Sequence, residues 1–180
     1  MEYDFLSLVR NRQSDRQYIN DKAVESDKLE RILEAARLAP SACNGQPWRF
    51  VVMTDPVITK EVGIATAGLG MNKFAREAPV LILVVEEPTN ASAVAGGVVK
   101  GKHFPLLDIG IAVSNITLAA QSEGLGSCIM GWFDEKKIKK ITGIPRSRKL
   151  LLVIAIGYTN GKYREKVRKS KDKIISFNRY

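Results

Sequence analysis

Residues capable of directed chemistry concentrate in four short stretches of this 180-residue chain. One is Ala39-Pro40-Ser41-Ala42-Cys43-Asn44-Gly45-Gln46-Pro47-Trp48. Its two prolines stop a helix from running through, and Ser41, Asn44 and Gln46 place short donors and acceptors inside the turn between them. A second is Arg12-Gln13-Ser14-Asp15-Arg16. Guanidinium groups there suit bidentate contact with phosphate, and a serine hydroxyl adds a short hydrogen bond. A third is Gly124-Leu125-Gly126-Ser127-Cys128-Ile129-Met130-Gly131-Trp132-Phe133-Asp134, in which Gly131 permits close backbone approach. The last is the basic triplet Lys166-Val167-Arg168.

Other chemistries find little support. Gly68-Leu69-Gly70 and Gly124-Leu125-Gly126 open as G-x-G but lack the third glycine of a dinucleotide fingerprint, and no Walker A sequence occurs. His103 is the only histidine, which excludes a His pair on a metal and leaves no Ser–His–acid triad to argue. Cys43 and Cys128 form neither a disulfide framework nor a zinc pattern, and packing is the simpler role for both.

Charge is unevenly distributed. The first 135 residues hold 13 Lys/Arg against 17 Asp/Glu, and the last 45 hold 15 against 2, so the net +9 arises wholly in the last quarter. Such a segment attracts anions. Nucleic acid, a phosphorylated cofactor and plain solvated surface are the three readings. Nucleic acid is the weakest, because the segment lacks the interleaved aromatics of a single-strand platform.

The elements that must position these groups follow from periodicity. Residues 3–11 predict a short helix with Phe5, Leu6 and Val9 on one side. Ser26 or Asp27 caps a second helix carrying Leu29, Ile32, Leu33 and Ala36. Residues 50–54 predict a strand. Asp55-Pro56 reads as an N-cap with proline at the first helical position. Val80 to Val85 reads as a buried strand. Ala91 to Gly101, rich in Ala, Gly and Val, predicts a loop. Residues 105–123 form the longest helical pattern, apolar on two sides: Leu107, Ile111 and Leu118 on one, Ile109, Val113, Ile116 and Ala120 on the other. A strand at 127–132, a helix from Asp134 to Gly143 and a strand from Leu150 to Tyr158 complete the order. A late apolar patch, Ile174-Ile175-Ser176-Phe177, is placed to add a strand to a sheet, a partner's sheet included. Such alternation predicts one α+β domain over residues 1–180, a central mixed β-sheet flanked by helices. No apolar run approaches the ~20 residues of a bilayer span, and the acidic start lacks a secretory signal's basic opening, so a cytoplasmic protein with no membrane partner is expected.

The four stretches, in this order, resemble the signature segments of the FMN-dependent nitroreductase family, of which this would be a short member. The match runs from Arg12 to Arg168. The resemblance implies a homodimer with C-terminal strand exchange and FMN at the subunit interface. Arg12, Gln13, Ser14, Arg16, Met130, Gly131, Lys166 and Arg168 would contact FMN largely from one subunit, and Pro40, Ser41 and Asn44 from the other. In the family the segment at Met130-Gly131 runs beneath the flavin ring with a backbone N–H facing N5, and the K-x-R pair binds the flavin phosphate. Asn72, Lys73 and Arg76 are candidates for the pyrimidine end. Arg16, with Lys73 behind it, is placed to stabilise the anionic reduced flavin. The activity implied is ping-pong hydride transfer from NADH or NADPH to a small-molecule acceptor, a nitroaromatic, quinone or related compound. No catalytic side chain is then required, because the flavin carries the chemistry. An FMN-storage or redox-sensing module is the alternative. Larger relatives carry lid helices where this chain has its short 86–104 region.

Overall fold

The computed structural model describes residues 4–180. Ten regular elements follow in order: α1 (Phe5–Asn11), α2 (Ser26–Arg37), β1 (Trp48–Met53), α3 (Pro56–Thr66), β2 (Val80–Glu86), α4 (Ala91–Lys100), α5 (Phe104–Ser122), β3 (Gly126–Met130), α6 (Glu135–Thr142) and β4 (Lys149–Gly157). The expected first helix is present from Phe5, and its predicted first residue, Tyr3, lies outside the described residues.

The strands form one sheet in the order β1-β2-β4-β3. Every pairing between named strands is antiparallel, which corrects the expected mixed sheet. Among the described residues the one parallel feature is an isolated bridge between Ser14 and Ser127. Alternate residues of β2 enter different cores. Leu81, Leu83 and Val85 join Val62 and Ala65 of α3 and Ile138 of α6 on one face. Val80, Ile82 and Val84 join Ile32 and Ala36 of α2 and Ile109, Val113 and Ile116 of α5 on the other. Both faces being covered explains why β2 reads as a continuous apolar run rather than an alternating one.

Asp55 caps α3 by accepting from the N–H groups of Val57 and Ile58, with Pro56 in the first turn, as the sequence predicts. Asp134 caps α6, and Gly143 closes it with φ 71°. Two expectations differ, and one apolar helix face stays uncovered. Helix α2 begins after Glu25 without a side-chain cap; the Glu25 carboxylate instead accepts from the Tyr158 hydroxyl at 2.8 Å. The predicted loop at 91–101 is helix α4. Its glycines lower intrinsic helix propensity, but Asn90 caps the start by accepting from Ala93 N–H at 2.9 Å, and Ala93 is buried. Helix α5 buries only one of its two apolar stripes. Ile109, Val113, Ile116 and Ala120 are in the core, whereas Leu107 is 58% and Ile111 42% exposed. Beyond Lys173 the patch Ile174–Phe177 forms no strand in the single chain, and Phe177 is exposed.

Candidate functional site

The segment after α1 is fastened to the sheet edge. Asp15 N–H donates to Ser127 O at 2.9 Å, and Ile19 N–H donates to Tyr158 O at 2.9 Å. Tyr18, buried, donates its hydroxyl to the carbonyls of Asp15 and Ala155 at 3.1 and 3.2 Å. Gly126 must be glycine here, because a Cβ would lie 2.8 Å from Asp15 Oδ2. Residues 12–16 therefore run beside β3 in a fixed register.

The C-terminal arm returns to the same place. Arg164 N–H donates to Gln13 Oε1 at 2.9 Å, and Gln13 Nε2 donates to Asp15 Oδ1 at 2.8 Å and Lys162 O at 3.3 Å. Tyr163 donates its hydroxyl to Arg10 O at 3.3 Å, and the Lys166 ammonium donates to the same carbonyl. Partial burial lowers the Lys166 pKa from its ordinary value, and the charges of Arg12 and Arg168 lower it further. Burial raises the pKa of the Cys128 thiol, with Arg16, Arg12 and Arg164 acting against that shift. Arg12, Arg16 and Arg164 thus stand near Cys128 of β3, with Lys166 and Arg168 close by through Arg12, and among the described residues none of these five cations is in an ion pair. Mutually repelling cations, with only the buried Asp15 carboxylate among them and that one in no ion pair, fit a multiply charged anion with several acceptor oxygens, which a phosphate is.

At the other end of β3, Met130 is buried and Gly131 exposed. Asn72, in the left-handed conformation with φ 53°, donates from Nδ2 to Trp132 O at 2.9 Å, which sets the 72–73 segment beside Gly131-Trp132. Lys73 is exposed there, as is Arg76. Predicted site residues 12–16 thus lie beside β3 and 72–73 beside the backbone that follows Met130-Gly131, while Lys166 joins them through Arg10 O and the neighbouring charge of Arg12.

The Pro40–Gln46 loop is braced elsewhere. Ala42 N–H donates to Asp108 Oδ2 at 3.1 Å, and Asn90 Nδ2 donates to Cys43 O at 2.8 Å, tying the loop to α5 and to the start of α4. Within it, Gln46 N–H donates to Ser41 Oγ at 3.0 Å and Gln46 Nε2 to Asn44 Oδ1 at 3.1 Å. Cys43, Asn44 and Gln46 all take positive φ, between 43° and 51°. Non-glycine residues held this way cost roughly 1–3 kcal/mol each and persist where the surroundings over-determine them. Gly45 packs so closely that a Cβ would lie 2.1 Å from Thr89 Oγ1. Pro40, Asn44 and Gln46 are exposed and Ser41 half-buried. No hydrogen bond among the described residues joins this loop to residues 12–16.

Sequence reasoning assigned no role to Asp15, Arg164, Asp108 or Asn90. Asp108 carried a usable signal: a carboxylate inside an apolar helical pattern, 6% exposed in the structure. Asn90 did too, as a cap residue before an Ala-rich stretch. Arg164 was hidden in a run of basic residues. Two clefts, of about 800 Å³ beside Thr59 and Arg76 and about 890 Å³ beside Lys139 and Arg146, include none of the five cations.

An antiparallel sheet covered on both faces, with a group of cations beside one edge strand, defines a small α+β protein. Known proteins make that class specific. The Nitroreductase family profile matches residues 9–68 and 59–158. An NADH dehydrogenase of Thermus thermophilus is 30% identical over 181 residues, covering 86% of each chain. A nitroreductase family protein of Streptococcus pneumoniae superposes with TM-score 0.81 at 26% identity, covering 97% of this chain and 100% of that one. An FMN-dependent nitroreductase of Clostridium difficile superposes with TM-score 0.75 at 26% identity, covering 97% and 99%. The chain belongs to the nitroreductase family.

Proposed function

We propose that this chain is an FMN-dependent NAD(P)H oxidoreductase that reduces nitroaromatic, quinone or related acceptors. The reading is carried by the cluster of Arg12, Lys166 and Arg168, brought together from opposite ends of the chain with no carboxylate partner. The Clostridium difficile relative is described as FMN-dependent and the Thermus relative as an NADH dehydrogenase, which supports the cofactor and the donor.

In this reading Arg12, Lys166 and Arg168 bind the FMN phosphate, and Ser14 and Arg16 lie along the ribityl chain and pyrimidine edge. Arg16, with Lys73, supplies positive charge to an anionic ring. Gly131, lacking a Cβ, lets the backbone after Met130 come close to the ring. Asn72 fixes that backbone through Trp132 O. The chemistry supplied by FMN when bound is hydride exchange, from a nicotinamide to an acceptor in ping-pong alternation.

We further infer a single FMN-binding domain that works as a homodimer. Two observations support the dimer. The second stripe of α5, Leu107 and Ile111, is exposed next to exposed Phe5, Leu6 and Val9 of α1. The strained Pro40–Gln46 loop is braced against α5 rather than against its own cation cluster. A partner's loop then supplies Pro40, Ser41 and Asn44, and Ile174–Phe177 reaches over to the other subunit.

Purified protein is expected to carry a bound flavin absorbance that bleaches anaerobically with NADH or NADPH and returns on adding a quinone. Protein that is colourless and takes up no added FMN overturns the reading.

A further inference from the structure

We infer that Asp15 is the positioning residue of the phosphate site, acting through Gln13 to hold the C-terminal basic arm against Arg12 and Arg16. The inference rests on the FMN reading for its ligand, but its geometry stands on hydrogen bonds alone.

Asp15 is 4% exposed and, among the described residues, in no ion pair. Burying a carboxylate without an opposite charge is costly, so its hydrogen bonds must be in place. Two donors converge on it: Ser127 N–H on Oδ2 at 3.3 Å and Gln13 Nε2 on Oδ1 at 2.8 Å. The direction of these bonds fixes the rest of the chain. A carboxylate only accepts, so Gln13 turns its NH2 toward Asp15 and its oxygen toward Arg164 N–H, which it receives at 2.9 Å. The same NH2 reaches Lys162 O at 3.3 Å. Both ends of the Gln13 amide are therefore occupied. Gln13 is a bracket between β3 and residues 162–164 rather than a direct ligand of the cofactor. Lys166 and Arg168 follow within four residues of the bracketed Arg164.

The polarity of these bonds allows a sharp test. In Asp15→Asn the side chain keeps its shape but presents one donor. With its oxygen on Ser127 N–H, the new NH2 faces Gln13, whose amide must flip. The Gln13 NH2 then meets Arg164 N–H, donor against donor, and the arm is released. Adding Gln13→Glu supplies an acceptor both for the amide introduced at position 15 and for Arg164 N–H, and restores those two bonds of the bracket with its charge moved by two residues, giving up only the long contact to Lys162 O.

The experiment measures FMN and riboflavin affinity and hydrogen exchange of the Arg164 amide in the wild type, the single variant and the double variant. In Asp15→Asn, FMN affinity should fall about tenfold with riboflavin changed less than about twofold, and Arg164 exchange should accelerate. In the double variant the FMN-to-riboflavin ratio and Arg164 protection should return to within about threefold of wild type. Equal losses for both flavins, or no recovery in the double variant, overturn the inference. If the single variant does not fold, Gln13→Ala, which leaves the Asp15–Ser127 bond intact, must show the same selective loss for FMN. A wild type that binds no flavin sinks the FMN reading instead, and Arg164 exchange then decides the bracket by itself.

Discussion

Replacing Lys166 and Arg168 together by alanine tests where the phosphate sits. Each side chain, if it meets a phosphate oxygen, makes a charge-assisted hydrogen bond worth roughly 1.5–3 kcal/mol. Two such bonds amount to about 3–6 kcal/mol before compensation. Part of that is returned, because partial burial and then the neighbouring charges of Arg12 and Arg168 disfavour the Lys166 charge when no ligand is bound. Removing a cation from a repelling cluster relieves the protein that has no ligand. The net loss for FMN should therefore be at least about tenfold, corresponding to ~1.4 kcal/mol, while the apo protein melts no lower than wild type. Riboflavin, which has no phosphate, should bind nearly as before. Titration by flavin fluorescence, paired with thermal melting of the apo form, reads both quantities. Equal losses for FMN and riboflavin would show that the phosphate lies elsewhere. An unchanged FMN affinity with a flattened salt dependence of DNA or RNA binding would move the arm to nucleic acid.

The exposed stripe of α5 gives a second test: Ile111→Glu should convert a dimer to a monomer in sedimentation. Ile111 is 42% exposed in the single chain, and a two-fold interface counts it twice, so roughly 1–2 kcal/mol of apolar burial is lost before the cost of burying the new carboxylate. A dimer of unchanged affinity rejects that face. The cysteines give a third. Cys128 is buried and its thiol pKa is raised, so at pH 8 iodoacetamide should modify exposed Cys43 and leave Cys128 until the protein unfolds. A thiol whose folded pKa exceeds its unfolded one stabilises the fold below the unfolded value, and that contribution is lost as pH rises through the folded one. Alkaline conditions above about pH 9 should therefore cost stability that Cys128→Ser recovers in part, and a pH profile unaltered by the substitution rejects that assignment.

Local signals carried much of the fold. Asp55-Pro56, Asp134 and Gly143 marked helix ends that the structure places at those residues, because caps are decided by a few neighbouring atoms. The run Val80–Val85 was legible as a strand because both its faces are buried, which leaves a short continuous apolar stretch. Helix α4 was not, since its stability comes from the Asn90 cap and from packing that composition does not reveal. Strand direction was illegible too: β1 and β2 are joined through helix α3, a connection that commonly links parallel neighbours, yet they pair antiparallel. Within the candidate site, residue types announced Arg12, Arg16, Lys166 and Arg168. What sequence could not supply was the bond directions that separate a ligand-facing side chain from a bracket, as at Gln13.

The charge asymmetry of the chain now divides into two populations. Arg164, Lys166 and Arg168 belong to an arm whose backbone is held by Gln13 and whose Lys166 side chain meets Arg10 O and the charge of Arg12 from the other end of the sequence. Lys169, Lys171 and Lys173 are exposed and make no hydrogen bond from their side chains to the rest of the described chain. A nucleic-acid surface would draw on both populations alike, because a polyanion reads charge density along a face. A phosphate on a small ligand reads geometry, and only the first population has it. The loss on changing Lys166 and Arg168 should accordingly exceed any loss on changing Lys171 and Lys173 by about tenfold in FMN affinity, although both pairs carry the same formal charge. Equal effects from the two pairs would reduce the arm to a diffuse positive field and remove the case for a built site.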